Sequence, residues 1–269
     1  MEKIVSKSFW HKYHERYQKL RSPVCIGLDT QLDKLPACVR ESANPIRDFN
    51  EAIIKATAEY ATAYKPNLAF YLADGLRGIT ALYDTIESIP AEIPVILDCK
   101  AGDIGSTMKA YAQAFFCDLK VDAITINPLM GKDVLKPILE LEHSFAFVLA
   151  LTSNPSAEDF FHRSSLKDAV PDWLKDYPLE RVGAVVGATQ VADLKTMRQK
   201  MPGRLFLIPG IGAQGGDLQA VLSNTVDSHD DPRILINSSR GIIFAGKGED
   251  YASAAGEAAR KLYEACKIQ

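Results

Sequence analysis

The sequence is short of several things, and each shortage removes a class of protein. Only five cysteines occur among 269 residues: Cys25, Cys38, Cys99, Cys117 and Cys266. They form no C-x-x-C pair and no Cys/His cluster at zinc spacing, so neither a disulfide framework nor a metal site is expected. Scattered thiols fit a reducing compartment. A dominant charge is lacking too, since 31 Lys+Arg against 34 Asp+Glu leave a net charge of −3. Phosphate neutralisation needs a basic field, so nucleic acid is not an expected partner. The longest unbroken apolar run, Phe145–Leu151, is far too short to span a bilayer. The charged N-terminus has no apolar signal-peptide core. These features predict a cytoplasmic protein with no membrane partner. Zincin (H-E-x-x-H), nucleophile-elbow (G-x-S-x-G) and P-loop motifs are missing. No Ser/Gly linker, low-complexity tract or charge shift marks a domain boundary, so residues 1–269 are read as a single catalytic domain.

What is present is one repeated unit. Short β-rich apolar runs recur at 24–28, 63–65, 95–98, 123–126, 146–151, 184–186, 205–208 and 234–236. Each is followed by turn residues and a helix-like stretch, at about 34 residues per unit, the size of a β-loop-α repeat. Segments 46–62, 104–119, 190–200 and 251–266 carry apolar residues at helical spacing. Eight such units close most naturally into a (β/α)8 TIM barrel, with an open doubly wound sheet as the alternative. The first twenty residues read as an extra N-terminal helix. Residues 152–180 are long for a β-α loop, and loops of that length are often functional.

Barrel active sites sit at the C-terminal ends of the strands. The third strand ends at Asp98 and runs on into Cys99-Lys100-Ala101-Gly102, with Asp103 in the loop at the start of the next helix. Residues two apart on a strand share a face, so Asp98 and Lys100 should project together while Cys99 packs away from them. A structural ion pair is the plainer reading of that pair, and a helix N-cap that of Asp103. Lys65 ends the neighbouring strand and extends the pattern to an alternating Lys65–Asp98–Lys100–Asp103 array. Opposite charges ~4 Å apart at an effective dielectric of about 20 attract by about 4 kcal/mol, so lysines held this way stay protonated and can act as acids.

Gly210, Gly212 and Gly215 fit G-x-G-x-x-G. A dinucleotide fold requires further βαβ units and an acidic residue about twenty positions on. Only one strand follows, ending in Asn237-Ser238-Ser239-Arg240-Gly241. The pattern therefore fits better the phosphate site that barrels build from the loops after strands seven and eight, with Arg240 as a charged fork. Plain turn glycines and a surface arginine are the bland alternative.

Asp98-x-Lys100-x-x-Asp103-Ile104, followed by Gly105-Ser106-Thr107, resembles the D-x-K-x-x-D-I-x-x-T signature of the orotidine 5′-phosphate decarboxylase family, in its D-I-G-S-T variant. Gly27-Leu28-Asp29, Lys65-Pro66-Asn67, Asn127-Pro128, Thr152-Ser153-Asn154-Pro155, the run Pro209 to Gly216 and Asn237 to Ile242 extend the likeness along nearly the whole chain. The resemblance implies decarboxylation of orotidine 5′-monophosphate (OMP) to UMP, in pyrimidine biosynthesis, with no metal and no cofactor. Lys100 would protonate C6, Asp98 would face the substrate carboxylate, and Lys65 would hold the array and touch the ribose. Asp103 and Thr107 would reach the neighbouring subunit's site, implying a homodimer with shared active sites. Asp29 would bind a ribose hydroxyl, and Thr152 or Ser153 the pyrimidine edge. Pro209, Gly212, Gln214, Arg240 and Gly241 would surround the phosphate end. Asn67, at a position where relatives carry His, would lie near the ribose. Two other readings stay open: a metal-dependent keto-sugar-phosphate lyase on the same barrel, and a non-catalytic phosphate-binding barrel.

Overall fold

A computed structural model describes residues 7–159, 161, 165–187, 191–210 and 217–268. Among these residues eight parallel strands follow one another around a nearly closed barrel: β1 Val24–Leu28, β2 Ala63–Pro66, β3 Ile96–Ala101, β4 Ala123–Ile126, β5 Phe145–Leu151, β6 Val182–Val186, β7 Phe206–Ile208 and β8 Ile234–Ser238. Their hydrogen-bonded order runs from β2 through β1 and β8 round to β3. Isolated parallel bridges, Tyr64 with Val95 and Asn67 with Asp98, bring β3 back against β2. The expected barrel is therefore what forms, and the open sheet is not.

Helices connect the strands, among them Pro45–Thr57, Gly75–Glu87, Gly105–Ala112 and Lys132–Leu139, and the helix Tyr251–Ala265 follows β8. The stretch expected as one helix over 104–119 divides at Gln113 into an α-helix and a π-helical turn, Gln113–Asp118. The long connection over 152–180 is not a structureless loop. It holds the helix Leu166–Leu174, which buries Val170, Pro171 and Leu174 and serves as the helix between β5 and β6.

Strand alternation divides the apolar residues into two sets. Cys25, Ala63, Ile96, Ala123, Phe145, Phe147, Leu149, Val185, Leu205, Leu207 and Leu235 cluster in the barrel interior. Their strand neighbours, such as Ile26, Leu97, Ile124, Val148 and Ile236, join the shell packed beneath the helices. The extra helix is Phe9–Leu20, opened by the Ser8 side chain accepting from the His11 N–H. It closes the N-terminal end of the barrel: Phe9 lies 4.6 Å from Phe145 ring to ring, the Tyr13 hydroxyl donates to the Ile234 carbonyl, and Lys12 pairs with Asp122 at 2.7 Å. One end is thus filled with aromatic rings, which leaves the other free for chemistry.

Candidate active site

Two residues beyond the interior cluster, the same alternation carries a different set of side chains to the C-terminal mouth. Lys65 follows Ala63, Asp98 follows Ile96, Thr125 follows Ala123, and Asn237 follows Leu235. With Asp29 just past β1 they form a polar arc, while Leu149, Val185 and Leu207 complete the ring as an apolar arc. Both arcs line a cavity of about 420 Å³, within the range of small-ligand sites. Asn67, Lys100, Thr152, Ser153, Pro209 and Arg240 line it as well.

Asp98 is the centre of this site. Its Oδ2 accepts from Lys65 Nζ at 3.0 Å, and its Oδ1 accepts from Lys100 Nζ at 2.6 Å and from Thr125 Oγ1 at 2.9 Å. Burial alone would push the Asp98 carboxyl up, but the ammonium groups of Lys65 and Lys100 outweigh it and hold the carboxyl far below the usual range. Burial would likewise push the Lys65 ammonium down, yet Asp98 and Asp29 hold it above an ordinary lysine. The pair therefore stays ionised although only 5% of the Lys65 side chain and 13% of the Asp98 side chain is exposed. Lys100 differs, with 51% of its side chain exposed toward the cavity. It can reach a ligand while it is tethered to Asp98.

Strand alternation alone does not explain how Lys100 gets there. The β3–β4 register advances from Leu97 opposite Ile124 to Ala101 opposite Ile126, a bulge in β3. Lys100 sits inside it in the left-handed region, with φ 47. For a residue with a Cβ this conformation costs roughly 1–2 kcal/mol, and it persists because the Lys100 N–H donates to Thr125 Oγ1 at 2.9 Å. Cys99 packs against the shell, and burial pushes its thiol up to about 12, consistent with packing rather than chemistry.

Other expected residues stand apart from Lys65, Asp98 and Lys100. Asp103 does not join the array within this chain, nor is it a helix cap. Its Oδ1 accepts from the adjacent Ile104 N–H, and Ile104 occupies the N-cap position of Gly105–Ala112. Thr107 and Gly241 are exposed and do not line the cavity. Asn67 lines it, but its Oδ1 caps the helix Leu68–Leu72 by accepting from the Ala69 N–H. Gly212 and Gln214 lie outside the described residues. Arg240 opens the short helix Arg240–Ile243 at the mouth. Its neighbour Ser239 packs so closely on β1 that a Cβ at Gly27 would stand 2.6 Å from the Ser239 Cβ, so only glycine fits there.

A family model described as orotidine 5′-phosphate decarboxylase / HUMPS matches residues 22–255, most of the barrel just described. The chain belongs to this family. It is 43% identical over 265 residues to an orotidine 5′-phosphate decarboxylase of Herpetosiphon aurantiacus, covering 96% of each protein. Among solved structures it resembles the OMP decarboxylase of Leishmania donovani, with a TM-score of 0.77, 35% identity, and 96% and 99% of the two chains covered. It also resembles the UMP synthase of the same organism, with a TM-score of 0.80 and 37% identity, covering 96% of this chain and 57% of that one.

In this member of the orotidine 5′-phosphate decarboxylase / HUMPS family, sequence reasoning gave no role to three residues at the mouth, although Asn237 and Ser239 lie in the strand end it singled out. Thr125 is the polar residue in an otherwise apolar β4, on the interior-facing alternation, and that signal could have found it. Asn237 and Ser239 each hold a buried oxygen with no hydrogen-bond partner among the described residues, as does Asp29. Buried acceptors without partners are costly, so their meeting at one cavity marks a place prepared for a polar ligand.

Proposed function

We propose that the protein decarboxylates OMP to UMP, with Lys100 as the acid. The observation that carries the reading is the Asp98 carboxylate held between Lys65 and Lys100, with only Lys100 substantially exposed to the cavity. In the reaction the bond from C6 to the carboxylate carbon breaks and carbon dioxide departs, leaving its electron pair on C6. Lys100 Nζ delivers a proton to that carbon, and the neutral amine then regains one from solvent. A fixed ammonium beside C6 stabilises charge that develops toward the transition state more than charge in the bound substrate. Asp98 faces the substrate carboxylate and orients Lys100. Lys65 keeps Asp98 ionised and reaches the ribose, and Asp29 and Asn67 lie toward the ribose hydroxyls. Thr152 or Ser153 meets the pyrimidine edge, whose ring rests on the apolar arc. Arg240, with Pro209, Gly212, Gln214 and Gly241, holds the phosphate, whose binding energy helps exclude water from the distant reacting carbon.

The working unit in this proposal is a cytoplasmic homodimer in which residues 1–269 of each chain form one catalytic domain. Exposed Leu72, Leu76, Ile104, Leu129 and Met130 follow three successive strands, β2, β3 and β4, on the side of the mouth where Asp103 lies. Apolar side chains exposed in such numbers suit burial against a second copy, which brings Asp103 and Thr107 to the partner's site. The reaction is tested by mixing OMP with purified protein in EDTA and following its ultraviolet absorbance. Loss of the OMP spectrum with UMP as product is expected. An unchanged spectrum in EDTA, with activity appearing on addition of Mg²⁺, would contradict the proposal.

A further inference from the structure

Asp29 projects into the cavity with Oδ1 unpartnered among the described residues, whereas the residues on either side of it are held firmly from behind. Leu28 offers its carbonyl to the Tyr71 hydroxyl at 3.0 Å, and the Thr30 hydroxyl donates to Asn50 Oδ1 at 2.5 Å. Asn50 spends its two amide hydrogens on the Tyr71 hydroxyl at 3.0 Å and Thr85 Oγ1 at 2.8 Å, and Thr85 donates onward to the Ala81 carbonyl. Thr30, Asn50, Tyr71 and Thr85 are all essentially buried. Both Asn50 amide hydrogens and the Thr30, Tyr71 and Thr85 hydroxyl hydrogens have acceptors, so the direction of each bond is fixed. The network ties the end of β1 to Pro45–Thr57, Leu68–Leu72 and Gly75–Glu87. A fully satisfied buried network of this kind rigidifies what it holds, whereas one with a member removed leaves costly unpaired groups.

We infer that Thr30, Asn50, Tyr71 and Thr85 are a positioning brace that fixes the Asp29 carboxylate for a ribose hydroxyl. The inference rests on the proposed ribose role of Asp29. None of the four touches substrate. They grip both neighbours of Asp29 from the shell side, and the carboxylate projects from the opposite face of the strand end.

The test compares the affinity of the whole protein for UMP with its affinity for the 2′- and 3′-deoxy analogues, by calorimetry. The hydroxyl read by Asp29 is the one whose removal weakens binding to the wild type but not to Asp29→Ala. Thr30→Val keeps the side-chain shape and removes the donor, and Tyr71→Phe removes the bond to Leu28. In both, UMP affinity should fall about tenfold, the effect of one net hydrogen bond, while affinity for that deoxy analogue holds. Thr30→Ser, which keeps the hydroxyl, should restore the wild-type ratio. Should Tyr71→Phe fail to fold, the Thr30→Val and Thr30→Ser pair decides. Equal losses for UMP and the analogue, or an unchanged ratio in folded Thr30→Val, would overturn the brace alone if Asp29→Ala abolishes the discrimination. Discrimination that survives Asp29→Ala would overturn the ribose role of Asp29, and the brace with it.

Discussion

At the scale of single residues, Asp98 shows how a buried site keeps its charge. Burial favours its neutral form, and two ammonium groups reverse that preference. Its carboxyl titrates below, and Lys65 above, the ordinary values of about 3.9 and 10.4. The depressed carboxyl contributes stability above about pH 3.9 that is lost as pH falls through its folded value. The raised ammonium contributes below about pH 10.4, and that part is lost as pH rises. Asp98→Asn should therefore cost about 3 kcal/mol, because it leaves Lys65 buried without its main partner. Urea unfolding should show this difference near neutral pH, shrinking below about pH 4 as the wild-type carboxyl takes up a proton. Asp98, Lys65 and Lys100 were legible in the sequence because strand ends and two-residue spacing are local facts. The capping of Asn67 and the orphaned oxygens of Asn237 and Ser239 depend on neighbours far along the chain, and no local pattern carries them.

At the scale of elements, the bulge in β3 holds Lys100 in the left-handed region with its ammonium still on Asp98. The strand continues to Ala101, three residues beyond the end that apolar patterning suggested. Thr125 anchors both sides of that bulge, accepting from the Lys100 N–H and donating to Asp98. Thr125→Val keeps the volume and removes both bonds. Steady-state kinetics should then show kcat lowered by about tenfold or more with UMP affinity nearly unchanged, because the tether of the acid is lost but the binding groups are not. A rise in KM alone would assign Thr125 to binding. The strands were readable from short β-branched runs, and β1 and β4 run as expected. The register shift was not readable, since the hydroxyl that hydrogen-bonds across it lies on a different strand.

For the whole molecule, the nearly closed barrel gathers an aromatic plug at one end and charge at the other. In the proposed dimer a second copy supplies Asp103 to the array, since Asp103 does not line the cavity of its own chain. Inactive Lys100→Ala and Asp103→Asn proteins, mixed, dissociated and reassociated, should regain about a quarter of wild-type activity. Half the dimers would be mixed, and each would carry one intact site. A mixture with no activity beyond that of its components would contradict shared sites. The barrel itself was legible because eight similar units repeat, whereas the proposed dimer would rest on exposed surfaces, which carry no periodic signal.

The central claim is that Lys100 supplies the proton, and the most direct measurement is OMP turnover by Lys100→Ala beside its affinity for UMP. Turnover reduced by at least about a thousandfold with UMP binding retained is the predicted result. Turnover within tenfold of wild type would contradict it.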